Sequence, residues 1–388
     1  MATLDQPRLT SRARQATLAV NHTGMVVARR TARPVLWWAA TGALFLAFAA
    51  YLIIAWLVSG EAKRVPSGVT PLPRWMKIIL DIQQWGLFAA ALVLIYFQVF
   101  RARRREGRIP VKGLMVISFA LLWWSDPLYN YFVPGFNYNA YFINLGSWIG
   151  HVPGWQSPHP TSTPQPLIWL PGVYTCMFFL MAVIGSRIMG VVARRRPEMG
   201  RLGLLLSAYV PLVVVGTFWE AMFMRMGSHQ YAGAVDGLTL SHGQYYQFPI
   251  YQGISAAALY TSWAALIHFK DDKGRSLVEK GLERVQAGPR VQGLIRFFAV
   301  SGAVTVIFFG FYHIPMNFFA LEQSAWPTSI QERSYFTSGL CGDGTTIACP
   351  GPVVPIPRGD SSLRVSPNGR LVLPPGTTPP RLVPSRTR

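Results

Sequence analysis

The sequence predicts an all-α, polytopic membrane protein with about seven transmembrane helices, on three observations. Of its 388 residues 51% are hydrophobic and 13% charged, about half the charged share of a typical soluble domain. Apolar runs long enough to cross a hydrocarbon core of roughly 30 Å recur along the chain. The cations sit in short clusters between those runs. A net charge of +20 suits nucleic acid when it is spread over one face of a domain; here its clustering is a membrane pattern and excludes nucleic acid as the expected partner.

Residues 1–34 form a basic lead with six arginines, expected in the cytoplasm. The apolar run that follows, 35–58, is too long for a signal peptide and lacks a small-x-small site, so it reads as an uncleaved span. The remaining candidate spans are 78–100, 113–133, 167–191, 203–224, 248–268 and 294–319. Together with 35–58 they make a membrane domain of residues 35–321. Loops 101–112, 192–202 and 269–293 are rich in Arg and Lys, whereas 125–166 carries none and 225–247 only Arg225. Basic loops stay inside, which places the N-terminus inside and the C-terminus outside a cell membrane. The loop 59–77, with four cations, fits this alternation least well. From Glu322 to Arg388 the chain is polar, rich in Pro and Gly and without helical period, which predicts a disordered external tail. Cys341 and Cys349 lie in it, on the side where disulfides survive; a bridge and two free thiols both fit.

Polar residues within the spans carry the functional expectation, because an ionisable side chain in hydrocarbon is costly and tends to face a cavity. At a rise of 1.5 Å per residue, Asp126 lies about 22 Å into the third helix, Glu220 about 26 Å along the fifth and His313 about 29 Å along the seventh. All three then sit toward the outer face. Asp81, Gln83 and Gln84 open the second helix from the same side, and Tyr251 and Gln252 open the sixth. Such a set predicts a polar chamber in the outer half of the membrane. Each residue also has a plainer reading. Asp126 before Pro127 makes a good helix N-cap, and the third helix is expected to continue, bent, through "PLYNYFV". Trp123 and Trp124 suit an interfacial belt as well as a ligand wall. Asn130 can satisfy backbone groups that the proline frees. Glu220 can pair with Arg225, and His313 with Asn317 can sit at a helix interface.

The external histidines, His151, His159, His229, His242 and His313, show no metal-site spacing. Phosphate-cradling, dinucleotide and nucleophile-elbow glycine motifs are missing from the sequence, as are aspartate-rich pairs that would hold magnesium. The expectation is therefore carboxylate and imidazole acid–base chemistry without metal or cofactor, in an aromatic enclosure. "SHQY" (228–231) and "SHGQYYQFP" (241–249) share a short theme, and Tyr245 and Tyr246 suit a belt or a lid equally.

The layout of spans, "WWSDPLYNY" at the end of the third helix, "HVPGWQSP" in the next loop and "SHGQYYQFPIYQ" before the sixth helix resemble the AveC-like spirocyclases over roughly residues 35–320. The resemblance implies closure of a dihydroxy-ketone polyketide to a spiroketal, with dehydration as a related activity. It transfers no role to a numbered residue. The sequence thus points to a cyclase or dehydratase for a hydrophobic polyketide-like or lipid substrate. Asp126 and Glu220 are the leading acid–base candidates, with Asp81 and His313 second. Trp123, Trp124, Asn130, Trp155, His242, Tyr245 and Tyr246 are candidates for binding. The alternative is a transporter or binding protein for a hydrophobic metabolite, using the same chamber without chemistry.

Overall fold

A computed structural model describes residues 33–351, 354–359, 364–365 and 371–372; the basic lead before Arg33 and the far end of the tail lie outside the described residues. Seven long helices carry the fold: α1 (Pro34–Val58), α2 (Arg74–Glu106), α3 (Val111–Asn130), α4 (Trp169–Arg195), α5 (Arg201–Arg225), α6 (Ile250–His268) and α7 (Pro289–Leu321). Among the described residues, six of them are long and apolar enough to cross a membrane. α6 is the exception, because Tyr251, Gln252, Tyr260, Thr261 and Trp263 dilute its apolar content. It packs against α4, α5 and α7, with eleven buried residues including Gln252 and Trp263. α1, α2 and α5 present large apolar side chains outward, among them Leu44, Ile54, Ile82, Leu92, Val210, Val214 and Phe218. That belt is what lipid-facing helices require.

Local chemistry sets the helix ends. Pro34 and Pro289 stand in first turns, where a missing N–H costs nothing. Gly107 ends α2 in the left-handed region at φ 70°, where glycine has no Cβ penalty. Three π-helical stretches, Tyr96–Arg101, Tyr174–Phe178 and Phe309–His313, interrupt α2, α4 and α7. Such turns re-aim the side chains around them and cluster at functional sites.

α1 lies along α7 through two glycines. A Cβ on Gly42 would fall 1.9 Å from the Phe298 carbonyl oxygen, and one on Gly302 would fall 2.4 Å from the Trp38 carbonyl oxygen. Close backbone approach through small residues is the usual basis of helix association in lipid. Gly302→Leu is therefore expected to force α1 away and cost about 1–3 kcal/mol or more. Thermal unfolding in detergent checks this; an unchanged midpoint would contradict the contact.

The loops gather at two ends. At one end Arg108 Nη2 donates to the Lys273 carbonyl (2.5 Å), Val35 N–H to Lys280 (3.0 Å), and Arg296 Nη1 to Ile109 (3.0 Å). Arg296 Nε also meets Glu279 at 2.5 Å; both side chains are buried. Removing one partner of such a pair leaves an uncompensated charge, so this pair ties α7 to two loops. At the other end the 59–73 loop joins the next loop through Val65 N–H to Asn144 Oδ1 (3.0 Å).

Residues 322–351 depart from the expected disorder. Thr328–Gln331 and Ser334–Thr337 form short helices (α8 and α9). Trp326, Ile330, Tyr335 and Phe336 are buried in the main core, and Cys341 and Cys349 form a disulfide. Thr70 and Ser334 exchange hydrogen bonds at 2.8 and 3.0 Å, docking this segment on the 59–73 loop. The few apolar residues here, Trp326, Ile330, Tyr335 and Phe336, stand among polar ones without a helical period, which hid this core contribution, and a short cystine loop supplies order that helical period does not.

Candidate functional site

α3 ceases to be an α-helix at Leu122 and tightens to a 3-10 helix through Asn130. It does not run on to Val133 as the sequence suggested, because Asn130 turns the chain. Its amide Oδ1 accepts the backbone N–H groups of Gly135 (2.9 Å) and Phe136 (3.0 Å), and its Nδ2 donates to the Phe136 carbonyl (2.7 Å). The tightened segment aims buried Asp126 inward. The carboxylate does not cap a helix: Oδ1 accepts the hydroxyls of Tyr138 (2.8 Å) and Tyr174. Oδ2 has no protein partner. Tyr174 begins the π-helical stretch of α4.

Glu220 stands near the end of α5. Its Oε1 accepts the Tyr231 hydroxyl at 2.8 Å and lies 3.1 Å from His229 Nε2. Tyr231 in turn lies 3.0 Å from the Tyr312 hydroxyl, on the π-helical stretch of α7. The alternative pairing with Arg225 is not formed; that guanidinium sits over the Tyr246 ring, 4.2 Å from its centre.

A two-residue ladder joins the two carboxylate sites. β1 (Asn137–Tyr138) pairs antiparallel with β2 (His229–Gln230), with Tyr138 directly opposite His229. Residues opposite each other on an antiparallel pair project to the same face. One of them contacts Asp126 and the other Glu220, so the ladder sets the relation between the carboxylates. Burial, and then the negative charge each faces, hold the Tyr138 and Tyr231 phenols well above the ordinary tyrosine range. Both therefore stay protonated and act as donors.

Asp126, Glu220 and His229 line one cavity of about 80 Å³, walled by Trp169, Phe178, Trp219, Phe223 and Phe308 among others. Four atoms on its lining residues lack a protein partner: Asp126 Oδ2, His229 Nδ1, the Tyr129 hydroxyl and Gln252 Oε1. Buried polar groups are normally paired. Here four such atoms concentrate on one apolar enclosure.

The other expected site residues lie elsewhere. Asp81 accepts from Gln84 Nε2 (2.9 Å) and the Tyr141 hydroxyl (3.0 Å), away from the cavity. His313 is buried beside Ser125 (3.4 Å) and borders a separate apolar groove with Phe45, Phe48 and Trp124. Trp123 and Trp124 pack in an aromatic cluster around Trp148, whose Nε1 donates to the Trp124 carbonyl (2.7 Å). Trp155 stands edge-on to Tyr131. Exposed His242 lies 3.8 Å from Asp236. Tyr245 donates to the Arg225 carbonyl (2.9 Å) and stacks on Phe336. None of these touches the cavity, and Asn130 shapes it only by clamping the turn before β1. Sequence reasoning missed Tyr138, Tyr174, Tyr231 and Tyr312, and passed over His229. In "SHQY", the alternate positions His229 and Tyr231 were the available signal.

The family model described as "Spirocyclase AveC-like" matches residues 106–336, more than half of the chain. The match spans every residue of the cavity and reaches Phe336 in the packed C-terminal segment, whereas α1 and nearly all of α2 precede it. No curated protein and no solved structure matches the chain.

Proposed function

Because this chain belongs to the AveC-like spirocyclase family, we propose that it closes a hydroxy-ketone of polyketide-like or lipid character to a cyclic or spiro ketal in the chamber between α3, α4, α5, α6 and α7. The observation that carries this reading is the pair Asp126 and Glu220 on one aromatic cavity, each held by phenols and differing in their remaining contacts.

The reaction needs acid and base and no change of oxidation level, because ketone, hemiketal and ketal carbons are equally oxidised. It therefore requires no cofactor. In the first step a substrate hydroxyl adds to the ketone carbon; its proton passes to the base and the carbonyl oxygen takes one from the acid. In the second step the acid, which has recovered its proton from the base, protonates the hemiketal hydroxyl, the C–O bond breaks, and water departs to leave an oxocarbenium ion. The second hydroxyl then attacks that carbon and gives its proton to the deprotonated acid, which returns both groups to their starting states. Loss of a neighbouring C–H proton instead gives the dehydrated enol ether.

Asp126 is the acid in this scheme. Two phenols hold Oδ1 and fix the carboxyl, leaving Oδ2 free to carry and deliver a proton. Glu220 is the base and the negative charge facing the oxocarbenium. His229 and Tyr231 hold its Oε1, and Tyr312 extends that network. Unlike environments dividing two carboxyls between acid and base is a recurrent device. The aromatic walls exclude bulk water, which would otherwise return the oxocarbenium to the open chain. Deletion of the gene is expected to accumulate the open-chain hydroxy-ketone inside cells. An unchanged intracellular profile with altered export would favour transport instead.

The orientation follows from the loop charges. In a cell membrane the cation-poor loops and the chamber end face outward, and the basic loops face the cytoplasm. With Cys176→Ala as background, Leu238→Cys on intact cells should react with an impermeant thiol reagent and Arg103→Cys should not. The reverse pattern would invert the topology.

A further inference from the structure

Away from the chamber, at the opposite end of the helices, a second concavity lies between the end of α2, the start of α3 and the strand of chain after α6. Arg101, Arg105, Arg108, Lys112 and Lys270 line it, with Glu106 as its one carboxylate. We propose that this pocket binds the phosphate headgroup of an anionic phospholipid.

The charges converge from three separate elements on one cavity, which a loop cluster that merely obeys the inside-positive bias does not require. Arg101 rests over the Phe97 ring at 5.3 Å, and Arg108 donates to the Lys273 carbonyl. Arg105, Lys112 and Lys270 form no ion pair among the described residues. Partial burial, and then the like charge of Lys112, push the Lys270 ammonium below the usual lysine range. An anion seated between them relieves that repulsion, and guanidinium forks match phosphate oxygens.

Position favours a lipid over a free ion. The pocket sits at the end of α2, a helix long and apolar enough to cross a membrane, and its wall includes Phe97. Phe97 and Phe100, 44% and 56% exposed, continue from it along the lipid-facing side of α2. A headgroup in the pocket would therefore lay its acyl chains on that surface. Basic pockets between helices at the cytoplasmic side are a recognised setting for anionic headgroups.

The test uses the full-length protein in detergent, titrated with phosphatidylglycerol, phosphatidylcholine or inorganic phosphate and read by native mass spectrometry and thermal unfolding. Wild type should retain phosphatidylglycerol preferentially and gain stability from it, with no gain from phosphate alone. Arg105→Gln combined with Lys270→Gln should bind that lipid about 30-fold more weakly, whereas Arg195→Gln with Arg196→Gln, outside the pocket, should bind as wild type. The single variants serve if the double variant does not unfold cooperatively in phosphatidylcholine. Equal binding of the two lipids, equal protection by inorganic phosphate, or equal loss in the Arg195 and Arg196 control would each overturn the proposal.

Discussion

Asp126→Asn is expected to insert and unfold like the wild type while turnover falls by about 100- to 10,000-fold, the usual worth of a positioned acid or base. Asparagine keeps the shape of the side chain and can still accept the Tyr138 and Tyr174 hydroxyls through its amide oxygen. What it cannot do is hold a transferable proton at the position of Oδ2, which has no protein partner. The change therefore separates chemistry from architecture. Asn130→Ala makes the opposite comparison. It removes three hydrogen bonds that shape the turn before β1, so it should lower thermal stability first. Near-normal turnover in Asp126→Asn would return that carboxylate to a structural role.

Glu220→Gln is the second large effect. The carboxamide oxygen can still accept from Tyr231, but the negative charge that the proposed mechanism sets opposite the oxocarbenium is gone. Removing a preorganised electrostatic group typically costs about 100- to 1,000-fold in turnover, and the same loss is expected here. Tyr231→Phe provides the control. It deletes one donor to Oε1 and the bridge to Tyr312 but leaves the charge in place, so its loss should stay within about tenfold. If Tyr231→Phe were as damaging as Glu220→Gln, the network and not the carboxylate would carry the effect. Steady-state turnover of purified variants on one open-chain substrate distinguishes these outcomes.

The helices were legible because hydrocarbon demands continuous apolar runs, and both carboxylates stood out as charges inside such runs. Their shared cavity followed from similar depth on separate helices. The donors were not legible. Tyr138 and His229 reach the cavity from two loops far apart in sequence, brought together by a ladder of two residues per strand, too short to leave an alternating pattern. Tyr174 and Tyr312 owe their direction to π-helical stretches, and one extra residue per turn leaves no mark on an apolar sequence. Asp81 and His313 share that depth but not the cavity, because depth alone does not say which way a side chain faces. His313 follows Tyr312 directly, yet the two serve different cavities. Asp126 before Pro127 has a capping signature, but the proline falls within a 3-10 segment and the carboxylate turns to phenols instead.

The most direct measurement is conversion of a synthetic dihydroxy-ketone by the purified protein in lipid nanodiscs, followed by mass spectrometry and chiral chromatography. The account predicts a product lighter by one water, formed with one spiro configuration in excess, by the wild type and not by Asp126→Asn or Glu220→Gln. Binding of the open-chain compound without conversion, or conversion that survives both substitutions, would contradict it.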